Sequence, residues 1–174
     1  MEMPRIVRCE SQAHLGELAA EALAEHVGAC SACVVGLPTG RTAEPVYRAL
    51  AQMCRAGRFD PSPGLFFALD EVVCLSGRRP FFEFLRDRFL SPCGIDPARF
   101  GILDPTIPDG EIECRRYESE IRQRGGFGIV LLGIGRNGHI AFNEPCSGFE
   151  SVTRRVELTG ETRETVAAGF GLAA

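Results

Sequence analysis

The sequence contains no lysine: all 19 of its basic residues are arginine. Compositional drift of the genome is a sufficient cause, but the chemical consequence is sharp. The chain has neither a Schiff-base lysine nor a lysine to serve as a point charge for phosphate. Long apolar runs are also missing. None approaches the about 18 residues of a membrane span, and Met1 to Cys9 lacks a secretory apolar segment. Charge of one sign does not accumulate: 23 acidic and 19 basic residues are interspersed, with a net charge of −4. That pattern argues against a nucleic-acid surface or a polybasic membrane patch. The expectation is a cytoplasmic chain with neither nucleic acid nor membrane as partner.

Cysteine, by contrast, is plentiful, at positions 9, 30, 33, 54, 74, 93, 114 and 146. Cys30 and Cys33 form the only close pair, and no second Cys or His pair stands at zinc-site spacing. Buried thiols acting as small hydrophobes are the favoured reading, with metal or redox use the minor alternative. The 174 residues, 45% apolar, suffice for one domain with a sizeable core.

The periodicity alternates. Residues 11 to 28 carry apolar positions at helical spacing, with Ser11 as cap. His14 and His26 fall on this helix with no carboxylate or thiol cluster at ligand spacing, so surface or structural roles are expected of them. Cys33 to Leu37 reads as a strand. A helix resumes at about Thr42 and runs to about 56, with Pro45 in its first turn. Leu65 to Leu69 is a second strand, Phe81 to Leu90 a helix, and 104 to 109 a loop leading into a helix from about Gly110 to Arg124. Phe127 to Ile134 is the third strand, and its apolar run from Ile129 is expected to be buried. Strands alternating with helices predict an α/β fold: a three-layer, doubly wound, mainly parallel sheet of Rossmann-like type. Right-handed crossovers bring the carboxyl ends of the strands to one edge, where open sheets place their reacting groups.

Three segments fall at that edge. Leu37-Pro38-Thr39-Gly40-Arg41-Thr42 joins a strand to a helix, and its glycine, hydroxyls and helix start suit a phosphate, although a plain tight connection reads equally well. It is not a Walker loop. Asp70 follows Leu-Phe-Phe-Ala-Leu at the rim of the sheet, where desolvation raises a carboxylate toward the range of a general base, and Glu71 adds a like charge. A helix cap or salt bridge is the structural alternative. His139 lies in Gly135-Arg136-Asn137-Gly138-His139-Ile140-Ala141-Phe142-Asn143-Glu144-Pro145. With Asn137 or Glu144 holding one ring nitrogen, the other is left to exchange protons near neutral pH. Together these residues suggest proton transfer on a small phosphorylated substrate. In the absence of a nicotinamide fingerprint or a metal cluster in the sequence, chemistry without a cofactor or metal is expected.

These segments, in this order and spacing, resemble the glucosamine-6-phosphate deaminases: Gly36-Leu37-Pro38-Thr39-Gly40, Leu69-Asp70-Glu71 and Gly133 through Pro145. The likeness also takes in Glu113-Cys114-Arg115-Arg116-Tyr117-Glu118 and Leu158-Thr159-Gly160-Glu161-Thr162-Arg163. The related 6-phosphogluconolactonases share the Gly-His portion without Phe142-Asn143-Glu144-Pro145, and ribose-5-phosphate isomerases share only the fold. The resemblance implies conversion of glucosamine 6-phosphate to fructose 6-phosphate and ammonia, in amino-sugar catabolism. It assigns ring opening to His139, orientation of that ring to Asn137 and Glu144, and proton transfer between C2 and C1 to Asp70. The segment Leu37 to Thr42, with Glu71 and Gly138, is assigned to binding the sugar phosphate.

The departures are specific. Asn137 stands where many members carry Asp, and Arg41 where a Gly is common. Members continue beyond the region matched here, through strands and helices that supply a phosphate-binding Lys. An Arg expected after the Thr-Arg motif falls at or near Ala168. Residues 1–174 are therefore expected to form one domain shortened at its carboxyl end. Its function is expected to be deamination, with a catalytically impaired sugar-phosphate binder or a lactonase-type hydrolase as alternatives. Assembly as a homo-oligomer is left open.

Overall fold

A computed structural model of the chain describes residues 5–73 and 77–171. Cys74, one of the eight cysteines, lies outside them. Among the described residues no helix is long and apolar enough to cross a membrane.

The chain opens with α1 (Gln12–Gly28), where the Ser11 side chain accepts the His14 amide at 3.1 Å and supplies the anticipated cap. Then follow β1 (Cys33–Leu37), α2 (Glu44–Arg55), β2 (Gly64–Ala68) and α3 (Pro80–Leu85). The helix expected to run to Leu90 instead widens into a π turn over Arg86–Leu90. A two-residue strand, β3 (Phe100–Gly101), precedes α4 (Gly110–Gln123), whose amino end is capped by Asp109. The short β4 (Ile129–Val130) and α5 (Gly160–Phe170) complete the order. Neither β3 nor α5 stood out as an element from periodicity, β3 because two residues carry no pattern.

The strands lie in the order β3-β2-β1-β4, all parallel, with Val35 opposite both Phe66 and Ile129. Period-two alternation divides the side chains between two layers. Cys33, Val35, Leu37, Phe66 and Ala68 pack with Leu23 and Val27 of α1, with Val46, Tyr47 and Leu50 of α2, and with Leu85, Phe89 and Leu90. On the opposite face, Val34 and Phe67 meet Tyr117 and Ile121 of α4. Helices on both faces of a parallel sheet give the expected three-layer, doubly wound architecture.

The third strand differs from its expectation. Gly128 donates to Val34 O at 2.9 Å and Leu131 to Gly36 O at 3.0 Å, so the chain follows β1 for only about four residues. It then bends away, leaving Leu132 51% and Ile134 79% exposed. Ile134 instead bridges Ile140, and Ile140 bridges Asn143. The run from Ile129 is therefore an edge strand leading into a hairpin-like loop, not a buried strand. Uniform apolarity cannot distinguish the two, because it says nothing about how many neighbours a strand has.

His26 also departs from the reading given above. It lies one helical turn before Cys30, and its ring, the Cys30 thiol and the Cys33 thiol at the start of β1 place their ligand atoms within 4.8 Å of one another. The i, i+4 relation was visible in the sequence, but the turn that folds Cys33 back onto it was not.

The helix pair α1/α2 depends on a glycine. A Cβ on Gly16 would stand 2.6 Å from Pro45 Cβ and 2.7 Å from its backbone carbon. Gly16→Ala should therefore force the helices apart and cost about 1–3 kcal/mol. A lowered urea midpoint with unchanged slope is the expected result; an unmoved midpoint would contradict the packing.

Candidate active site

At the carboxyl edge of the sheet, Leu69 N donates to Leu37 O at 3.0 Å and Leu131 N donates to Gly36 O at 3.0 Å. A Cβ on Gly36 would lie 2.8 Å from a Leu69 methyl and 3.0 Å from a Val130 methyl, so only glycine lets the three chain segments close up here. The loops after β1, β2 and β4 consequently leave side by side. In the first, Pro38 is buried and its carbonyl accepts the Tyr47 hydroxyl of α2. Gly40 takes φ +105, and Ala43 N donates back to Gly40 O at 3.1 Å. No side chain caps the amino end of α2. Thr42 Oγ1 stands 3.6 Å from where a Cβ on Gly133 would be, so this loop faces the one after β4.

Asp70 follows β2. The last residue of that strand, Ala68, is anchored by the Tyr117 hydroxyl, which donates to its carbonyl. Asp70 Oδ1 is buried and has no hydrogen-bond partner. Desolvation, with the Glu71 charge second, raises the Asp70 carboxyl to about 7. Its charge in turn adds to the burial that holds the Tyr47 and Tyr117 phenols high. Glu71 is differently placed. Its Oε1 accepts the amides of Val72 (3.0 Å) and Phe81 (3.1 Å), and its Oε2 accepts that of Phe82 (3.0 Å). It thus caps α3, and burial keeps its carboxyl above the ordinary value despite three donors.

His139 sits in a tight loop built on glycines. Gly135 N donates to His139 O at 2.8 Å, Gly138 N donates to Gly135 O at 3.0 Å, and Gly138 has φ +88. The imidazole lies against Gly135, where an added Cβ would fall 2.2 Å from Nε2. Asn137 Oδ1 accepts the His139 amide at 3.2 Å, and Asn137 Nδ2 donates to Glu144 Oε2 at 2.5 Å. The same oxygen stands 3.9 Å from His139 Nδ1, and Thr162 Oγ1 stands 3.5 Å from that nitrogen. Thr159, the cap of α5, presents its amide and hydroxyl to Glu144 Oε1, each at 3.2 Å. The Thr162 hydroxyl first, then the Thr159 amide and Asn137, hold the Glu144 carboxyl below the ordinary value.

An open cleft of 1550 Å³ runs past these elements. Asp70, Glu71 and Val72 form part of its wall, as do Ile140 to Asn143 and Arg154, Arg155 and Arg163. Leu37 to Thr42, Asn137, Gly138, His139 and Glu144 are not part of that wall. The His139 ring adjoins it through Phe142, 6.3 Å away at 67°, and Phe142 in turn packs on Phe81 at 5.6 Å. The structure thus gathers Asn137, His139 and Glu144 into one hydrogen-bonded unit. Asp70 and Glu71 stand apart from it on the cleft wall, which the short segment 140–142 also lines. Thr159 and Thr162 carried no role in the sequence reading. Thr-Gly-Glu-Thr is nevertheless a helix-start pattern, which places both hydroxyls at an amino end. Arg154 and Arg155, a doubled cation in a polar stretch, carry no motif that marks them in the sequence. Arg154 is steadied by Asn143 Oδ1 at 3.0 Å and Ser147 Oγ at 3.1 Å.

The family described as glucosamine-6-phosphate isomerases/6-phosphogluconolactonase matches residues 9–147. The chain belongs to this family. A glucosamine-6-phosphate deaminase of Streptomyces coelicolor is 41% identical over 150 residues, 85% of this chain and 58% of that protein. Glucosamine-6-phosphate deaminase 2 of Bacillus subtilis is 37% identical over 169 residues, covering 96% of this chain and 68% of its own. Among solved structures, a monomeric glucosamine-6-phosphate deaminase superposes with TM-score 0.86 at 37% identity, over 92% of this chain and 67% of that one. A 6-phosphogluconolactonase from Thermotoga maritima gives 0.61 at 28% identity, over 72% and 58%. The chain therefore spans little more than half the length of the Streptomyces relative.

The folded chain holds a proton on Asp70 up to about pH 7, whereas the unfolded chain releases it near 3.8. The folded state binds more protons between those values, so this group lowers stability as pH rises from about 4 to about 7, with no further effect above. Asp70→Asn should remove that slope and stabilise the fold above pH 7 by at most about 4 kcal/mol. Denaturation at several pH values checks it; identical pH dependence in both proteins would refute the burial. Gly135→Ala should displace the His139 ring while Asn137 and Glu144 stay paired. The His139 side-chain NMR signals should shift while those of His14 remain in place.

Proposed function

We propose that this family member converts glucosamine 6-phosphate into fructose 6-phosphate and ammonia, acting in the cytoplasm as a single-domain carrier of that site. The observation that carries the reading is the Asp70 carboxyl, raised to about 7 with its Oδ1 buried without a partner, on the wall of a cleft shared with Ile140 to Phe142. Proton abstraction beside a carbonyl calls for such a base. The names of the relatives support the same choice.

In this mechanism His139 moves a proton between the ring oxygen and the anomeric hydroxyl, opening the pyranose to the aldehyde. The Asn137–Glu144 pair fixes the imidazole, and Thr159 and Thr162 fix Glu144. Asp70 then removes the proton from C2, giving an enolamine, and returns it to C1. The resulting ketimine takes up water and releases ammonia, leaving the ketose. Glu71 secures the amino end of α3 and raises its neighbour by charge. The loop Leu37 to Thr42, with Gly138, receives the phosphate ester at the uncapped end of α2. In a chain without lysine, arginines supply the cationic contacts, and Arg78, Arg154, Arg155 and Arg163 are the ones on the cleft wall.

The lactonase reading needs only an imidazole base. Glu144, engaged by Asn137 and Thr159, belongs to the segment that separates the two activities, and it favours deamination. Incubation with glucosamine 6-phosphate should yield ammonia and fructose 6-phosphate in equal amounts. The rate should rise with pH through about 7 as Asp70 ionises, and Asp70→Asn should lower turnover by about 10²–10⁴-fold. Hydrolysis of 6-phosphogluconolactone without ammonia release would replace the proposal with the lactonase reading. A folded chain that binds phosphate esters and turns over neither substrate would replace it with a binding role.

A further inference from the structure

The amino end of the sheet, opposite the proposed site, holds a second group of reactive side chains. His26 lies in the last turn of α1, Cys30 follows its end, and Cys33 opens β1. Their ligand atoms, one ring nitrogen and two sulfurs, lie within 4.8 Å of one another, with Cys33 buried and the other two half-buried. Four ligands at zinc bond lengths of about 2.0–2.3 Å stand roughly 3.3–3.8 Å apart, so a small inward movement closes three of them on one ion.

The backbone around the group leaves room for it. Gly128, on the neighbouring segment before β4, has no side chain where a Cβ would stand 3.1 Å from His26 Nε2 and 3.3 Å from Cys33 Sγ. Any larger residue there would press on both ligand atoms. A coordinating divalent cation draws the proton from each thiol outright.

We propose that His26, Cys30 and Cys33 bind a soft divalent cation, with Zn²⁺ the best match to two sulfurs and an imidazole. Two thiols release their protons to solvent, two sulfur–metal bonds and one nitrogen–metal bond form, and a water takes the fourth corner. No electron transfer is involved. The ion ties the end of α1 to the start of β1 beside the edge segment, so its role is structural and independent of the chemistry at the carboxyl edge.

The test uses the reduced, metal-stripped chain titrated with Co²⁺ and Zn²⁺. One equivalent per chain should bind, with thiolate-to-cobalt absorption that Zn²⁺ displaces and a higher melting temperature in the Zn²⁺ form. Cys30→Ser and His26→Gln should each weaken binding by about 10–100-fold or more, whereas Cys9→Ser should not. X-ray absorption of the wild-type Zn²⁺ form should find two sulfurs at about 2.3 Å and a nitrogen at about 2.0 Å. This measurement decides the question even if a variant fails to fold. No stoichiometric uptake, undiminished uptake in both variants, a first shell without sulfur, or a Cys30–Cys33 disulfide in the Zn²⁺-treated protein would each overturn the proposal.

Discussion

The last two carbonyls of β1 govern the placement of everything else. Gly36 O accepts from Leu131 on one side and Leu37 O accepts from Leu69 on the other. Both neighbours run parallel to β1, so all three segments leave the sheet in the same direction. Residues separated by about seventy positions in sequence therefore emerge within reach of one cleft. The absent Cβ of Gly36 permits this, since Leu69, Val130 and Phe127 crowd the space a side chain would occupy. Parallel pairing with crossover helices is a topological constraint, and the function proposed for the site is a consequence of it.

Two carboxylates near this edge are treated in opposite ways. Asp70 has its Oδ1 buried without a donor, so its charged form is penalised. Glu144 is given the amides and hydroxyls of Asn137, Thr159 and Thr162, so its charged form is favoured. Environments that push like groups apart are the usual means of assigning distinct acid–base roles at one pH. Asp70 gains a poised proton, and Glu144 gains a permanent negative charge beside an imidazole. Beside the first, the Tyr47 and Tyr117 hydroxyls donate to the Pro38 and Ala68 carbonyls and anchor the ends of β1 and β2.

Much of this was legible in the sequence. Ser11, Pro45 and the apolar spacing located α1 and α2, and the apolar runs located β1 and β2, because each signal depends on local backbone physics. The same applies to Asp70, since a carboxylate after five apolar residues can only lie at a strand end. What escaped depends on partners distant in the chain. The exposure of Leu132 and Ile134 follows from β4 having one neighbour among the described residues, and the capping of α3 by Glu71 from a contact ten residues away. The part of Thr162 required α5 to pack back onto the loop at His139. The cluster of His26 with Cys30 and Cys33 escaped for a related reason: the half coded by helical spacing is visible, and the half made by the turn after Ala29 is not.

Glycines along the edge segment tie these observations together. Gly128, Gly133 and Gly135 each face a polar side chain from another part of the fold or loop: His26 with Cys33, Thr42, and His139 respectively. An edge strand ordinarily protects itself with bulky or charged residues. Here the backbone is left bare at both ends of the ladder, and side chains from elsewhere in the fold approach it closely. Bare backbone in a strand carries an entropic cost and loses packing, and it persists where close approach is needed. The short length of β4 is then understandable: two residues of regular ladder hold the segment in place, and the glycines on either side serve the two groups of reactive side chains at opposite ends of the sheet.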